Sequence, residues 1–340
     1  MDLEEQKEVW RKEQLELASQ VEVLADESTS SDRFQSLPLI PLETSSTDDG
    51  TKDSPLYYGG VDVSFPTDEN DQSVAVYVIV ECPSGKVVYK DHEYYSLTMP
   101  YIPSYLAFRE IEPLERLIQK QRKEQPKLTP RAILVDGNGV LHPRKAGIAC
   151  FVGVRTGIPT IGVGKTLFYE GKLNKDLVLQ ELGEALHDAK QAFLDKDTNN
   201  VKNSQSKTTS KSPLCDTIIM DSKTIPKPSS AEKLVLDRGA LVKELSTICR
   251  GVAVPLVNEE GEVLACALVG HGGLIRTKAS VTTGGTKNPI YISVGHKLSL
   301  QESVRICASF AFAKIPEPVR RADLIGRELL RCKEAEKNKG

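Results

Sequence analysis

The sequence contains no apolar run approaching the roughly 18 residues that span a bilayer, so no membrane helix is expected. Its opening stretch, MDLEEQKEVWRKEQ, lacks the basic flank and apolar core of a secretory signal. The seven cysteines, at 82, 150, 215, 249, 266, 307 and 332, stand singly and form no C-x-x-C pair. That argues against a disulfide framework and a thiolate zinc site, and fits a reducing, intracellular compartment, cytoplasm or nucleus. No internal repeat is evident. A large positive excess is missing too. The net charge of −3 argues at first against a nucleic-acid partner, but the charge is uneven. Residues 1–56 hold 14 acidic and 5 basic residues, a net of −9, which leaves +6 on the rest. A mildly basic body behind an acidic leader permits phosphate binding without demanding it. GVGKT (162–166) lacks the glycine that a phosphate-loop ATPase needs five positions before Gly164, where Pro159 stands instead.

What is present is a globular balance, 39% hydrophobic and 27% charged over 340 residues, enough for one large domain or two small ones. Near-helical spacing of Val9, Trp10, Leu15, Leu17, Val21 and Leu24 predicts a helix over 4–24, within an N-terminal unit of 1–25. Residues 26–56, rich in Ser, Thr and Asp, read as a disordered acidic linker, and 195–232 as a disordered surface insertion. Between and beyond them, 57–336 reads as one catalytic domain. GGVDVSF (59–65), SVAVYVIVE (73–81) and KVVYKDHEYYS (86–96) predict three antiparallel strands. RAILVD (131–136) and PTIGVG (159–164) are the short apolar runs of buried parallel strands. Helices are expected near 104–123, 146–156, 174–194, 299–313 and 317–336. The fold class is therefore α/β, a mixed sheet with helices flanking it.

Three carboxylates invite chemistry. Asp62 lies among apolar residues on a strand that reads as central, Asp136 ends an apolar strand at a glycine turn, and Glu110 sits early in a helix. A buried charge is costly unless paired or bound to a cation, and ligands of open α/β sheets gather outside strand ends. Hard oxygen donors on separate elements suit Mg²⁺. The plainer reading is that a strand-end Asp caps a turn and a helix Glu is solvated. His92 and His187 read as surface residues.

The strings GGVDVSF, MPYIPSYLAFRE, VDGNGVLHPRKAGIACFVGV, PTIGVGK, IYISVGHKLSL and KIPEPVRRAD occur in one order, and EVWRKEQ precedes them. Together they resemble endonuclease V, a nuclease family that recognises inosine or deoxyinosine, over most of 57–194 and 234–330. The resemblance implies a ribonuclease H-like fold. It implies that Asp62, Asp136 and Glu110 hold Mg²⁺, with Mn²⁺ able to substitute, and that His296 is an active-site histidine. Lys165 would face the scissile phosphate, and His142 and Arg144 the nucleic-acid backbone. Pro100, Tyr101, Ile102 and Pro103 match the family's wedge, in which a tyrosine held by two prolines fills the gap left by an extruded base. Ser104, Leu106, Gly137, Gly139, Ile148 and Phe168 match positions that line the base pocket. Such a pocket would donate to the hypoxanthine oxygen and leave no room at C2, rejecting adenine and guanine. Cleavage is implied at the second phosphodiester 3′ to the inosine, in single-stranded RNA or in DNA, by a monomer. Two alternatives stay open: a binding module that no longer cuts, and a structure-specific nuclease of the same fold. Ser104 departs from the family, where glycine is frequent, and 271–285 is longer and richer in glycine than expected.

Overall fold

Strand β1 (Leu56–Ser64) is the axis of the sheet, because it is paired on both sides by different kinds of neighbour. The computed structural model describes residues 2–25, 55–67, 72–82, 84–97, 99–167, 176, 178–180, 182–184, 252–258, 261–269, 275–276, 281–282, 288–311 and 313–337. The insertion expected over 195–232, nearly all of the linker expected over 26–56, His187 and Phe168 lie outside those residues.

On one side β1 pairs antiparallel with β2 (Ser73–Cys82), which pairs antiparallel with β3 (Val87–Tyr95). On the other it runs parallel to β4 (Ala132–Asp136), and β4 runs parallel to β5 (Thr160–Gly164). The expected order of three antiparallel strands followed by parallel ones is what forms. Beyond β5 the sheet continues with antiparallel pairings. β6 (Val252–Val257), β7 (Val263–Val269) and β10 (Ile290–His296) give the order β3-β2-β1-β4-β5-β10-β7-β6. A separate two-residue ladder joins β8 (Ile275–Arg276) to β9 (Val281–Thr282).

Helices cover both faces. α2 (Ala107–Glu124) buries Phe108, Ile111, Leu114, Leu117 and Ile118, a stripe at helical spacing. With α1 (Leu3–Ser19) and α3 (Ile148–Thr156) it packs on the face that carries Val61, Ala75, Tyr77, Ile133 and Val135. α4 (Leu300–Ser309) and α5 (Glu317–Lys337) lie on the other face, against Leu134, Val163 and Ile292 and against Val74, Val76 and Val78 respectively. α5 sits very close to β1. A side chain at Gly60 would run into the backbone of Pro318, so glycine is required there for the helix to approach.

The N-terminal helix is shorter than the apolar spacing predicts. It opens with a reciprocal capping box between Asp2 and Glu5 and ends at Ser19. Val9 and Leu15 are exposed, and the buried face is Trp10, Gln14 and Leu17. Val21 and Leu24 belong to an extended segment instead. Val23 bridges Leu298, Leu24 N–H donates to Leu298 O (2.9 Å) and Lys297 N–H donates to Glu22 O (2.7 Å). Backbone pairing with the end of β10 won over local helical preference. α2 likewise begins three residues later than expected, since Ser104 has φ = 69° and cannot be part of a right-handed helix.

Candidate active site

Successive strand residues point to opposite faces. Val61 and Val135 belong to the α2 face, so their neighbours Asp62 and Asp136 point to the α5 face. Val61 is in register with Val135, which brings the two carboxylates to the same level at the ends of parallel strands. Lys165 follows β5 at the matching level, two residues beyond Val163, the partner of Asp136. Its Nζ donates to Asp136 Oδ2 at 2.6 Å and lies 3.4 Å from Asp323 Oδ1. Asp323 comes from α5, and Arg327 Nη2 donates to it at 2.8 Å. Glu110 enters from the first turn of α2, in the opposite layer, close enough for the charge of Asp136 to act on it.

The electrostatics are those of crowded like charges. Asp62 is only 5% exposed. Burial, then its hydrogen bond with Asp136 and that neighbour's charge, push its pKa up to about 9 against the pull of Lys165. Glu110 is pushed up to about 8 by withdrawal from solvent and by Asp136, with Arg109 opposing. For Lys165, burial favours the neutral amine, but Asp136, Asp62 and Asp323 outweigh it and hold the ammonium charged. Among the described residues no three His, Cys, Asp or Glu side chains form a ready-made ligand set. The Lys165 ammonium bridges Asp136 and Asp323 and serves as their counter-charge. The donor set itself is all-oxygen, drawn from β1, β4, α2 and α5, and its crowding drives Asp62 and Glu110 to hold protons that a divalent cation would displace. Those are the properties that suit a hard divalent cation.

The wedge candidates sit on the loop that leads into α2. Tyr101 is 66% exposed, the most exposed of the large hydrophobic side chains among the described residues. Pro100 and Pro103 are exposed beside it, while Ile102 packs on the core. Ile102 therefore anchors the loop, and Tyr101 faces solvent between its two prolines. Next to the carboxylates, the Arg109 guanidinium lies over the exposed ring of Phe65, 4.6 Å from its centre.

Of the pocket candidates, Leu106 is half-buried, immediately before α2. Gly137 follows Asp136 directly, and a Cβ there would strike Ile148. Gly137 and Ile148 thus meet beside Asp136, while Ser104 and Leu106 stand on the loop that leads into α2. Gly139 is different. A side chain there would collide with the carbonyl of Val294, and its N–H donates to Ser293 Oγ at 2.8 Å. Its missing side chain serves the crossing of this loop over β10.

Two expectations are corrected by position. His142 and Arg144 turn inward. His142 is buried, with Nε2 3.0 Å from Ser104 O and Nδ1 accepting from Arg144 N–H at 3.2 Å. Arg144 Nη2 donates to the same Ser104 carbonyl at 2.9 Å. They support the wedge loop from behind. His296 is not brought to the carboxylates. It pairs with Thr160, at the start of β5, whereas Asp136 pairs with Val163 near its end. Three residues along and two strands across amount to about 14 Å. His296 is buried and its Nδ1 accepts from Glu22 N–H at 3.2 Å, tying the N-terminal segment to β10.

This bond makes an acid-labile latch. Burial, then the charge of Lys297, hold His296 below its ordinary 6.5. The folded state therefore resists protonation more than the unfolded one, so stability is present above 6.5 and is lost as pH falls below it. Asp62 and Glu110 titrate in the opposite sense in both proteins, so the readout is a difference: the melting temperature of His296→Gln is expected to gain on that of the native chain as pH falls from about 7 to 5. Equal slopes for the two would speak against the latch.

Sequence reasoning missed two residues. Asp323 closes the string KIPEPVRRAD, and its place at the end of a motif was the available signal. Gln14 closes EVWRKEQ and is 1% exposed.

A sequence model of the endonuclease V family matches residues 42–214 and 246–324. Human endonuclease V is 33% identical over 273 residues, covering 80% of this chain and 71% of the human protein. The solved catalytic domain of human endonuclease V superposes with a TM-score of 0.63 at 29% identity, over 98% of this chain and 99% of that one. Endonuclease V of Ciona intestinalis, solved with DNA containing an inosine followed by a ribo-adenosine, gives a TM-score of 0.62 at 24% identity, over 97% of this chain and 99% of that one. The last is a likeness of fold.

Proposed function

The chain belongs to the endonuclease V family and is an endonuclease, and from that premise we propose that it recognises an extruded inosine and hydrolyses the second phosphodiester on its 3′ side, with Mg²⁺ or Mn²⁺ as cofactor. The observation that carries this reading is the meeting of Asp62, Asp136, Lys165 and Asp323 at one end of the sheet, with Glu110 within reach of Asp136. A carboxylate cluster of this kind has little use in a solvated surface and a clear one around divalent cations. Bound there, such cations supply an activated water and neutralise charge on the leaving oxygen.

The chain's own side chains divide the remaining work. Asp62 and Asp136 hold the cofactor from the strand ends, with Glu110 and Asp323 completing the oxygen set. Lys165 moves from counter-ion to phosphate ligand, a point positive charge aimed where negative charge develops. Tyr101 enters the space vacated by the base, and its proline neighbours limit the entropy it loses. Ser104, Leu106, Gly137 and Ile148 enclose the purine. Because the base is read and not removed, the reacting atoms lie one nucleotide beyond it.

Single-stranded RNA is the favoured polymer. The Ciona protein was solved with a ribonucleotide directly after its inosine, which is where a 2′-hydroxyl contact would be made. The test is cleavage of matched RNA and DNA oligonucleotides, each with one inosine, with and without Mg²⁺. Faster cutting of the RNA is expected. Equal rates on both would remove the RNA preference, and binding of inosine without cutting of either would reduce the chain to a recognition module.

A further inference from the structure

The carbonyl of Ser104 accepts from three side chains that belong to two separate parts of the chain. Gln14 Nε2 donates to it from α1 at 2.9 Å. Arg144 Nη2 donates from the β4–α3 loop at 2.9 Å. His142 Nε2 lies at 3.0 Å, and because its Nδ1 accepts from Arg144 N–H, Nε2 carries the proton and donates. A peptide oxygen has two lone pairs, and three donors on one is uncommon. The residue so held is a non-glycine with φ = 69°, a conformation that L side chains resist. Gln14 does more than hold Ser104. The same Nε2 donates to Ala146 O at 3.2 Å, two residues before Ile148, and Oε1 accepts from Arg144 Nε at 2.5 Å. One buried amide therefore joins the wedge-loop side of the base slot to the α3 side. The helix that carries it is itself fixed there, with Trp10 stacked on Phe108 (5.2 Å between ring centres) and 5.7 Å from Tyr105.

We infer that Gln14 is a positioning residue for base recognition, setting the spacing between Ser104 and Ile148 by clamping the carbonyls of Ser104 and Ala146. This rests on the slot proposed above. It gives the N-terminal helix a part in selecting the base, through the two carbonyls that Gln14 holds. It also accounts for Ser104: a clamp this strong tolerates a side chain where a glycine would hold the same backbone angle without help.

The substitution Gln14→Leu removes both donors and the acceptor. Gln14→Glu keeps an acceptor for Arg144, so the helix stays docked, but cannot donate to either carbonyl. Both are expected to lower kcat/KM on inosine strands roughly 10- to 100-fold, the scale of two lost buried hydrogen bonds, and to narrow the preference for inosine over adenosine. Adding Ser104→Gly to either variant is expected to restore most of the loss, because glycine adopts the positive φ unaided. A loss that Ser104→Gly does not recover means that Gln14 only docks the helix, and overturns the inference. So does a Gln14→Glu variant that cuts and discriminates like the native chain. Amide exchange in the free protein gives a readout that does not depend on the substrate. Tyr105 N–H, bonded to Ile102 O, is expected to exchange faster in both Gln14 variants and to regain protection with Ser104→Gly. A native chain without inosine preference sinks the functional reading, and unchanged exchange sinks the clamp itself.

Discussion

Asp62→Asn is expected to abolish cleavage, by on the order of 10³-fold or more, while inosine-dependent binding survives. The magnitude follows from removing several kcal/mol of charge stabilisation that a correctly held cation supplies. The same substitution is expected to stabilise the protein in the absence of divalent ions. Asp62 titrates at about 9 in the fold against 3.8 for an ordinary aspartate, so between those values the folded state binds more protons than the unfolded one. Stability then falls as pH rises through that window, and an asparagine, which never ionises, escapes the penalty. Activity and melting temperature should move in opposite directions, which separates lost chemistry from lost folding. The check is a single-turnover cleavage assay beside a thermal melt at neutral pH in EDTA. A D62N protein that still cuts at a native rate would remove Asp62 from the metal site.

The second large effect is expected at Tyr101. With 66% of its surface in solvent, Tyr101→Ala should leave the melting temperature unchanged. On a duplex, where the target must be drawn out of its stack, the loss should be about 10- to 100-fold, matching the ~1–3 kcal/mol of one aromatic–base contact. On a single strand, with little stacking to replace, it should be within a few-fold. Tyr101→Trp should retain the duplex activity. Equal losses on both substrates would mean that Tyr101 contacts the strand without acting as a wedge.

How much of this could be read in the sequence depends on whether the signal was local. The strands were legible because alternation and apolar runs are short-range patterns, and β1 to β5 form where the sequence predicts them. Asp62 was legible for the same reason, as a charge set among valines. Asp323 was not, because on α5 it follows two arginines and an alanine and looks like a solvated helix residue; only the close approach of α5 at Gly60 and Gly326 carries it to the strand ends. His296 was misread because its distance from Asp136 is set by the register of β10 on β5, a pairing of segments more than 100 residues apart. Gln14 looked like one polar residue among many in a polar helix, and Val9 and Leu15 looked like its core face. Which side of α1 is buried was decided by Trp10 meeting Tyr105 and Phe108, a tertiary contact that helical spacing does not encode. Gly139 was legible as a position of close approach, and the neighbour it accommodates in the fold is Val294.

Cleavage mapping on three otherwise identical strands, bearing inosine, adenosine or guanosine at one position, tests most directly whether a cation-bearing carboxylate cluster sits beside a slot for one purine. With Mg²⁺ present, only the inosine strand should be cut, at the second phosphodiester 3′ to the base, and EDTA should stop the reaction. Cutting of the adenosine strand at a comparable rate, or undiminished cutting in EDTA, would contradict it.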